Sequence, residues 1–283
     1  MSKVRIYGFA DEASPRIDGQ IDALVRNRMD GLEIRNVDGE NVSDISLEKA
    51  REVRRKLEAA GLAIWSIGSP IGKIDIAKDD FPSHLDKLRH TLDIAEILGA
   101  RRVRMFSFYI PAGDDPAAWR GEVLDRLNRM ADLAEGTGIQ LCHENDKGIY
   151  GDNAARCLDI HRSVPRLAGV FDPANFIQTG QDVAEAWEAL KPYVDYMHVK
   201  DALADGSVVP AGRGIGSLAV ILRDYLARGG TALTLEPHLR VFDGLSALER
   251  AGEASRVGGY AYASGDEAFD AAAAALRELL PGD

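Results

Sequence analysis

Short apolar segments alternate with helix-patterned ones eight times along this chain, and no other feature restricts its fold as tightly. The strand candidates are 4–9, 31–35, 62–67, 102–107, 139–144, 167–172, 194–199 and 231–236. Helical stretches follow at 15–28, 47–60, 82–98, 117–135, 151–163, 181–191, 216–228 and 265–280. In the third of these Leu85, Leu88, Leu92 and Ala95 recur at helical spacing, and in the fourth Val123, Leu127, Met130 and Ala134 do. Gly61, Gly99 and Gly138 stand where helices should stop, as C-terminal caps. Strand–helix alternation implies a parallel sheet, and eight units suggest its closure into a (β/α)8 TIM barrel. Such a barrel needs about 250 residues, and the chain has 283. No linker of Pro, Ser or repeated charge divides it, so one α/β domain spanning 1–283 is expected. The rival, an open doubly wound sheet, should carry GxGxxG after its first strand. "GFADEAS" stands there instead.

Four consecutive strands end in ionisable groups. "LCHENDKGIYGD" (141–152) breaks from apolar to charged at Glu144, "LAGVFDPANF" (167–176) at Asp172, "VDYMHVKD" (194–201) at His198 and "ALTLEPHL" (232–239) at Glu236. Side chains two apart on a strand face the same way. Cys142 and Glu144 therefore share a side, as do Val170 and Asp172, and Ala232, Thr234 and Glu236. Tyr196, His198 and Lys200 share the lumen side of the seventh strand. A single acid at a strand end is ordinarily a helix cap or a salt-bridge partner, and a single His a hydrogen-bonded core residue. Three convergent carboxylates repel one another unless something neutralises them. A divalent cation does so, and carboxylate oxygens with one imidazole suit Mn²⁺, Mg²⁺, Co²⁺ or Zn²⁺.

In its order Glu144, Asp172, His198, Glu236, with "FDPANF", "HVKD", "LEPH" and "PAGRGIG" (210–216), the chain resembles the sugar phosphate isomerase/epimerase superfamily, the xylose-isomerase-like TIM barrels. The resemblance runs from "GFADE" to the last helix, "GDEAFDAAAAALREL". It implies that Glu144, Asp172, His198 and Glu236 hold one divalent metal, and that Glu144 and Glu236 are also the acid/base pair. Ketose epimerases of the superfamily bind substrate through a His three residues after the ligand Asp. Asn175 occupies that position here and is a substrate-binding candidate.

The remaining polar candidates come from placement alone. Lys200, two residues past His198, is placed to polarise a carbonyl or stabilise an oxyanion, and His238 bears the same relation to Glu236. Glu33 and Arg35 end the second strand, both potentially facing the lumen, where the alternatives are substrate binding and a salt-bridged rim. Ser69, Lys73, Arg104 and Ser107 offer the same two readings. "GRGIG" can wrap an anion through its N–H groups or form a tight turn. The 241–264 stretch reads as a lid or as a contact between copies in a homo-oligomer.

The chemistry implied begins when a metal chelated by two vicinal oxygens of a hydroxy-ketone acidifies the α C–H. A carboxylate then removes the proton to give an enediolate. The leading expectation is an isomerase or epimerase of a keto-sugar or related polyol-derived carbonyl compound. A dehydratase of inosose or 3-dehydroshikimate type is the alternative, with a sugar-binding protein lacking turnover behind it. An endonuclease IV-like nuclease would need many histidines, and of the six here His84, His90 and His161 lie in helical stretches. A net charge of −11 also argues against nucleic acid as partner. No apolar run approaches the ~20 residues of a membrane span. The start enters a strand almost at once, without room for a signal peptide, and Cys142 and Cys157 form neither a CxxC nor a disulfide framework. The protein is expected in the cytoplasm with a small-molecule substrate.

Overall fold

In the computed structural model, which describes residues 4–241 and 259–280, the eight short apolar segments become eight parallel strands. They are β1 (Arg5–Gly8), β2 (Gly31–Ile34), β3 (Ala63–Gly68), β4 (Arg102–Met105), β5 (Gln140–Glu144), β6 (Ala168–Phe171), β7 (Val194–Val199) and β8 (Ala232–Leu235). Each pairs with its neighbours in sequence, and β8 returns to pair with β1 in register Ile6 with Leu233 and Gly8 with Leu235. The result is a closed (β/α)8 barrel without sheet edges.

The helices are α1 (Ile17–Arg26), α2 (Leu47–Ala59), α3 (Phe81–Leu98), α4 (Pro116–Ala134), α5 (Ala154–Ser163), a short α6 (Pro173–Gln178), α7 (Val183–Leu190), α8 (Leu218–Ala227) and α9 (Gly265–Leu279). Ser46, Asp80, Asp115, Asn153, Asp182 and Ser264 cap α2, α3, α4, α5, α7 and α9 by accepting first-turn N–H groups, which leaves fewer orphan donors there. The periodic residues of α3 and α4 are buried against the sheet. Of the three expected cap glycines, Gly99 is the C-cap of α3 with φ of 75°, and Gly61, φ 71°, directly follows the C-cap of α2. Gly138 is not a cap. The last turn of α4 ends at Glu135, and Gly138 serves the turn into β5.

Two apolar layers result, one between sheet and helices and one inside the barrel, built from Tyr7, Cys142, Val170, Tyr196 and Ala232 with Trp65 and Ala168 against them. That inner plug fills the lower barrel, so polar side chains can converge only above it. Two register shifts adjust where they point. Asp195 is skipped between Gly169–Val194 and Val170–Tyr196, and Trp65 is skipped between Leu32–Ile64 and Glu33–Ser66. An inserted residue of this kind re-aims the side chains beyond it. Here the result brings the Tyr196 hydroxyl to Glu33 Oε1 at 2.8 Å and to Ser66 Oγ at 3.2 Å, a polar floor for the groups above. No helix among the described residues is long and apolar enough to cross a membrane. Of the 241–264 stretch, residues 242–258 lie outside the described residues.

Candidate metal centre

Glu144 ends β5, and Asp172 and Glu236 directly follow β6 and β8, while His198 is the penultimate residue of β7. The pleat turns all four inward, each side chain is buried, and each offers one ligand atom within 4.8 Å of the others. His198 organises the group. Its Nδ1 lies 3.0 Å from Glu144 Oε1 and 3.2 Å from Glu236 Oε2, while Nε2 lies 3.1 Å from Glu33 Oε2. A histidine that gives one nitrogen to a metal ordinarily gives the other N–H to a carboxylate. Glu33 occupies that position, fully buried on its Tyr196 and Ser66 floor.

Lys200 Nζ stands 2.7 Å from Asp172 Oδ2 and 3.2 Å from Glu236 Oε2. Each glutamate also meets an arginine: Arg104 Nη1 is 3.4 Å from Glu144 Oε2, and Arg35 Nη1 is 3.3 Å from Glu236 Oε1. The oxygens that face the arginines are not those that face His198. Asn175 donates to Glu144 Oε1 at 3.3 Å and to the Asn145 carbonyl at 2.9 Å. Asp172 has two duties, since its Oδ1 also accepts the Asn175 N–H as the N-cap of α6. His238, at a φ of 44°, gives its own N–H to Glu12 Oε2 and sets Nδ1 3.6 Å from Glu236 Oε1.

The electrostatics are those of crowded, dry carboxylates. Burial pushes Asp172 up to about 7; Lys200 opposes the rise, and Glu236 and Glu144 add to it. Burial likewise lifts Glu12 to about 8, against the pull of Arg35. His198 is held well above the ordinary imidazole range, because the Glu144 and Glu33 carboxylates outweigh its burial. For Glu236 burial is also outweighed, by Lys200 and His238 first, and its carboxyl stays well below the usual range. The cluster thus retains protons to relieve its own repulsion. A divalent cation relieves it better, and three carboxylates with one correctly braced imidazole fit such an ion.

The family model for the xylose isomerase-like TIM barrel matches residues 21–257. The chain belongs to this family. As a xylose isomerase-like barrel it also aligns with solved structures over almost its whole length. The probable 3-DHS dehydratase AsbF from Bacillus anthracis superposes with a TM-score of 0.73 at 16% identity, covering 97% of this chain and 98% of that one. D-psicose 3-epimerase from Clostridium cellulolyticum H10, solved with D-tagatose, gives 0.71 at 14%, with 97% and 98% covered. A xylose isomerase-like barrel from Mycobacterium smegmatis in complex with magnesium gives 0.71 at 17%, with 98% and 97% covered. At these identities the likeness is one of fold. No curated protein matches the sequence itself.

All nine residues singled out in the sequence for the site, or for substrate next to it, lie in this one network or touch it. Of the weaker candidates, Ser107 is not brought in. Its Oγ meets His143 Nε2 at 3.0 Å and accepts the Gly151 N–H, on the face of β5 opposite to Glu144. Ser69 donates to the Arg104 carbonyl and Lys73 pairs with Asp146 at 2.7 Å. The sequence reading missed Asp11 and Glu12, which hold Arg35 at 2.9 and 3.1 Å. Their signal was available: two acids directly after the first strand sit on the rim where the other strands deliver theirs. It also left "GRGIG" open between an anion wrap and a turn. The loop does wrap an anion, and the anion is internal. Asp201 Oδ2 accepts from the N–H groups of Gly212 and Gly214, and Oδ1 from those of Gly216 and Ala202, all within 2.9–3.0 Å.

Proposed function

We propose that this protein is a divalent-metal-dependent isomerase or epimerase of a keto-sugar or related polyol-derived carbonyl compound. The observation that carries the reading is the buried set of Glu144, Asp172, His198 and Glu236, with two glutamates whose second oxygens are kept apart by Arg104 and Arg35. Asp172 and His198 serve only as ligands, while Glu144 and Glu236 are ligands that also move protons. Bound there, a cation (Mn²⁺, Mg²⁺, Co²⁺ or Zn²⁺) supplies Lewis acidity that polarises the carbonyl and acidifies the adjacent C–H. One glutamate takes that proton, leaving an enediolate, and a proton returned to the other carbon or the other face completes isomerisation or epimerisation. Lys200 donates to the developing oxyanion. Asn175 steadies Glu144, Arg35 steadies Glu236, and His238 and Glu33 complete the wall around the substrate and His198. The whole chain, 1–283, acts as one domain on a small molecule in the cytoplasm.

A dehydratase is the second reading, favoured by Lys200. Its ammonium, kept charged by Asp172 and Glu236 in spite of burial, stands where it can protonate a leaving hydroxyl. A screen of the metal-replete protein over keto-sugars and inososes in deuterated water separates the two. The proposal expects solvent deuterium in the product without a new ultraviolet band, whereas water loss yields a conjugated, absorbing product. Full retention of the substrate hydrogen during isomerisation would replace proton transfer by a hydride shift.

A further inference from the structure

We infer that the substrate of this site is a neutral polyhydroxylated carbonyl compound, bearing neither a phosphate nor a carboxylate group. This rests on the proposed metal-dependent hydroxy-ketone chemistry and narrows it.

The first observation is how the site's cations are used. The ion-pair network that contains the ligand set joins six carboxylates (Asp11, Glu12, Glu33, Glu144, Asp172 and Glu236) to only three Lys or Arg side chains, Arg35, Arg104 and Lys200. Three negative charges remain over when all are ionised and His198 is neutral, and a divalent cation removes two. The network stays negative before any substrate arrives. Each of the three cations is buried and already lies against at least two carboxylates, so an incoming anion must compete with fixed partners at short range. Lys73, the next cation on the rim, is paired with Asp146 at 2.7 Å and adds no net charge.

The second observation is independent of side-chain cations. Barrel enzymes that bind phosphate commonly do so at the loops after their seventh and eighth strands, through backbone N–H groups. Here the loop after β7 has turned its N–H groups onto Asp201. A Cβ on Gly214 would lie 2.3 Å from both Asp201 Oδ1 and the Ala202 carbonyl, so the wrap is closed around that carboxylate with no room for a second anion. Sugar hydroxyls face neither obstacle. They donate to the surplus carboxylates, which a phosphate cannot.

The test is calorimetric titration of the full-length, Mn²⁺-loaded protein with matched pairs: a ketohexose against its 1- and 6-phosphate esters, and dihydroxyacetone against dihydroxyacetone phosphate. The neutral member of a pair should bind at least tenfold more tightly, and a smaller ratio overturns the inference. Removing one rim carboxylate with Asp146→Asn, which leaves Lys73 without that partner, should narrow the ratio severalfold. An unchanged ratio overturns the electrostatic cause. Metal-dependent binding of the esters alone defeats this inference and leaves the metal-enzyme reading standing. A protein that retains no metal, or binds neither member of any pair, defeats both.

Discussion

Glu144 and Glu236 each divide their oxygens between His198 and an arginine, and that division makes them separable by mutation. Exchange of either for Gln keeps the size and one carbonyl oxygen but removes the base. Glu144→Gln and Glu236→Gln should therefore weaken metal binding only in part while turnover falls by at least ~10²-fold, the lower end of general-base contributions. Near-normal turnover in both variants would move the proton transfer to Lys200 or His238. Asp172→Ala or His198→Ala should instead abolish metal retention, read by elemental analysis of the purified variants. Asp172 adds a pH signature. Folded and metal-free, it keeps its proton up to about 7, whereas unfolded it loses it near ~3.9. Between those values the folded state binds the extra proton, so this group's contribution to metal-free stability is lost as pH rises. A metal displaces the proton, and the increment in melting temperature on adding metal should grow from pH 5 to 7 and level off above. An increment that shrinks over this range would contradict Asp172 as a ligand. The four ligands were legible because strand-end acids declare themselves against apolar runs. Asp11 and Glu12 were not, because a short 3-10 turn, Ala10–Glu12, carries them, and no apolar strand run marks them.

Among the elements, the eight strands and the eight long helices were readable from periodicity, since burial on a barrel imposes it on strand and helix alike. What escaped was shorter than one period. α6 has six residues, starts at Pro173 and owes its N-terminus to Asp172, a residue the sequence reading had assigned to metal alone. Two hairpins, Asn36–Val37 with Glu40–Asn41 and Asp201–Ala202 with Val208–Val209, are two-residue pairings that no alternation pattern can reveal. The second of these adjoins the loop that closes over Asp201. Asp201→Ala would leave four N–H groups without their carboxylate, and hydrogen bonds to a charged group each contribute about 1.5–3 kcal/mol. Water will reach some of the freed donors, so a loss of ~3 kcal/mol is expected, read as a lower urea midpoint with an unchanged slope. Gly214→Ala should cost a comparable amount by steric collision alone. If Asp201→Ala proved neutral, the loop would owe its shape to other contacts.

At the scale of the molecule, a bound metal acts on folded chains only, so it should raise stability by about 2.7 kcal/mol at a hundredfold excess over Kd. A chelator should lower the melting temperature correspondingly, and restored metal should reverse the change. The placement of the ligands says where that stability is felt. All four come from β5 to β8, the second half of the barrel, while β1 to β4 supply none of them. The ion is thus a clasp across one half-barrel, joining four adjacent staves at their upper ends. Amide hydrogen exchange should register it unevenly. On chelation, exchange ought to quicken in the upper turns of β5–β8 and hardly at all in β3 and β4, and a uniform response would mean that the barrel opens as a single hoop.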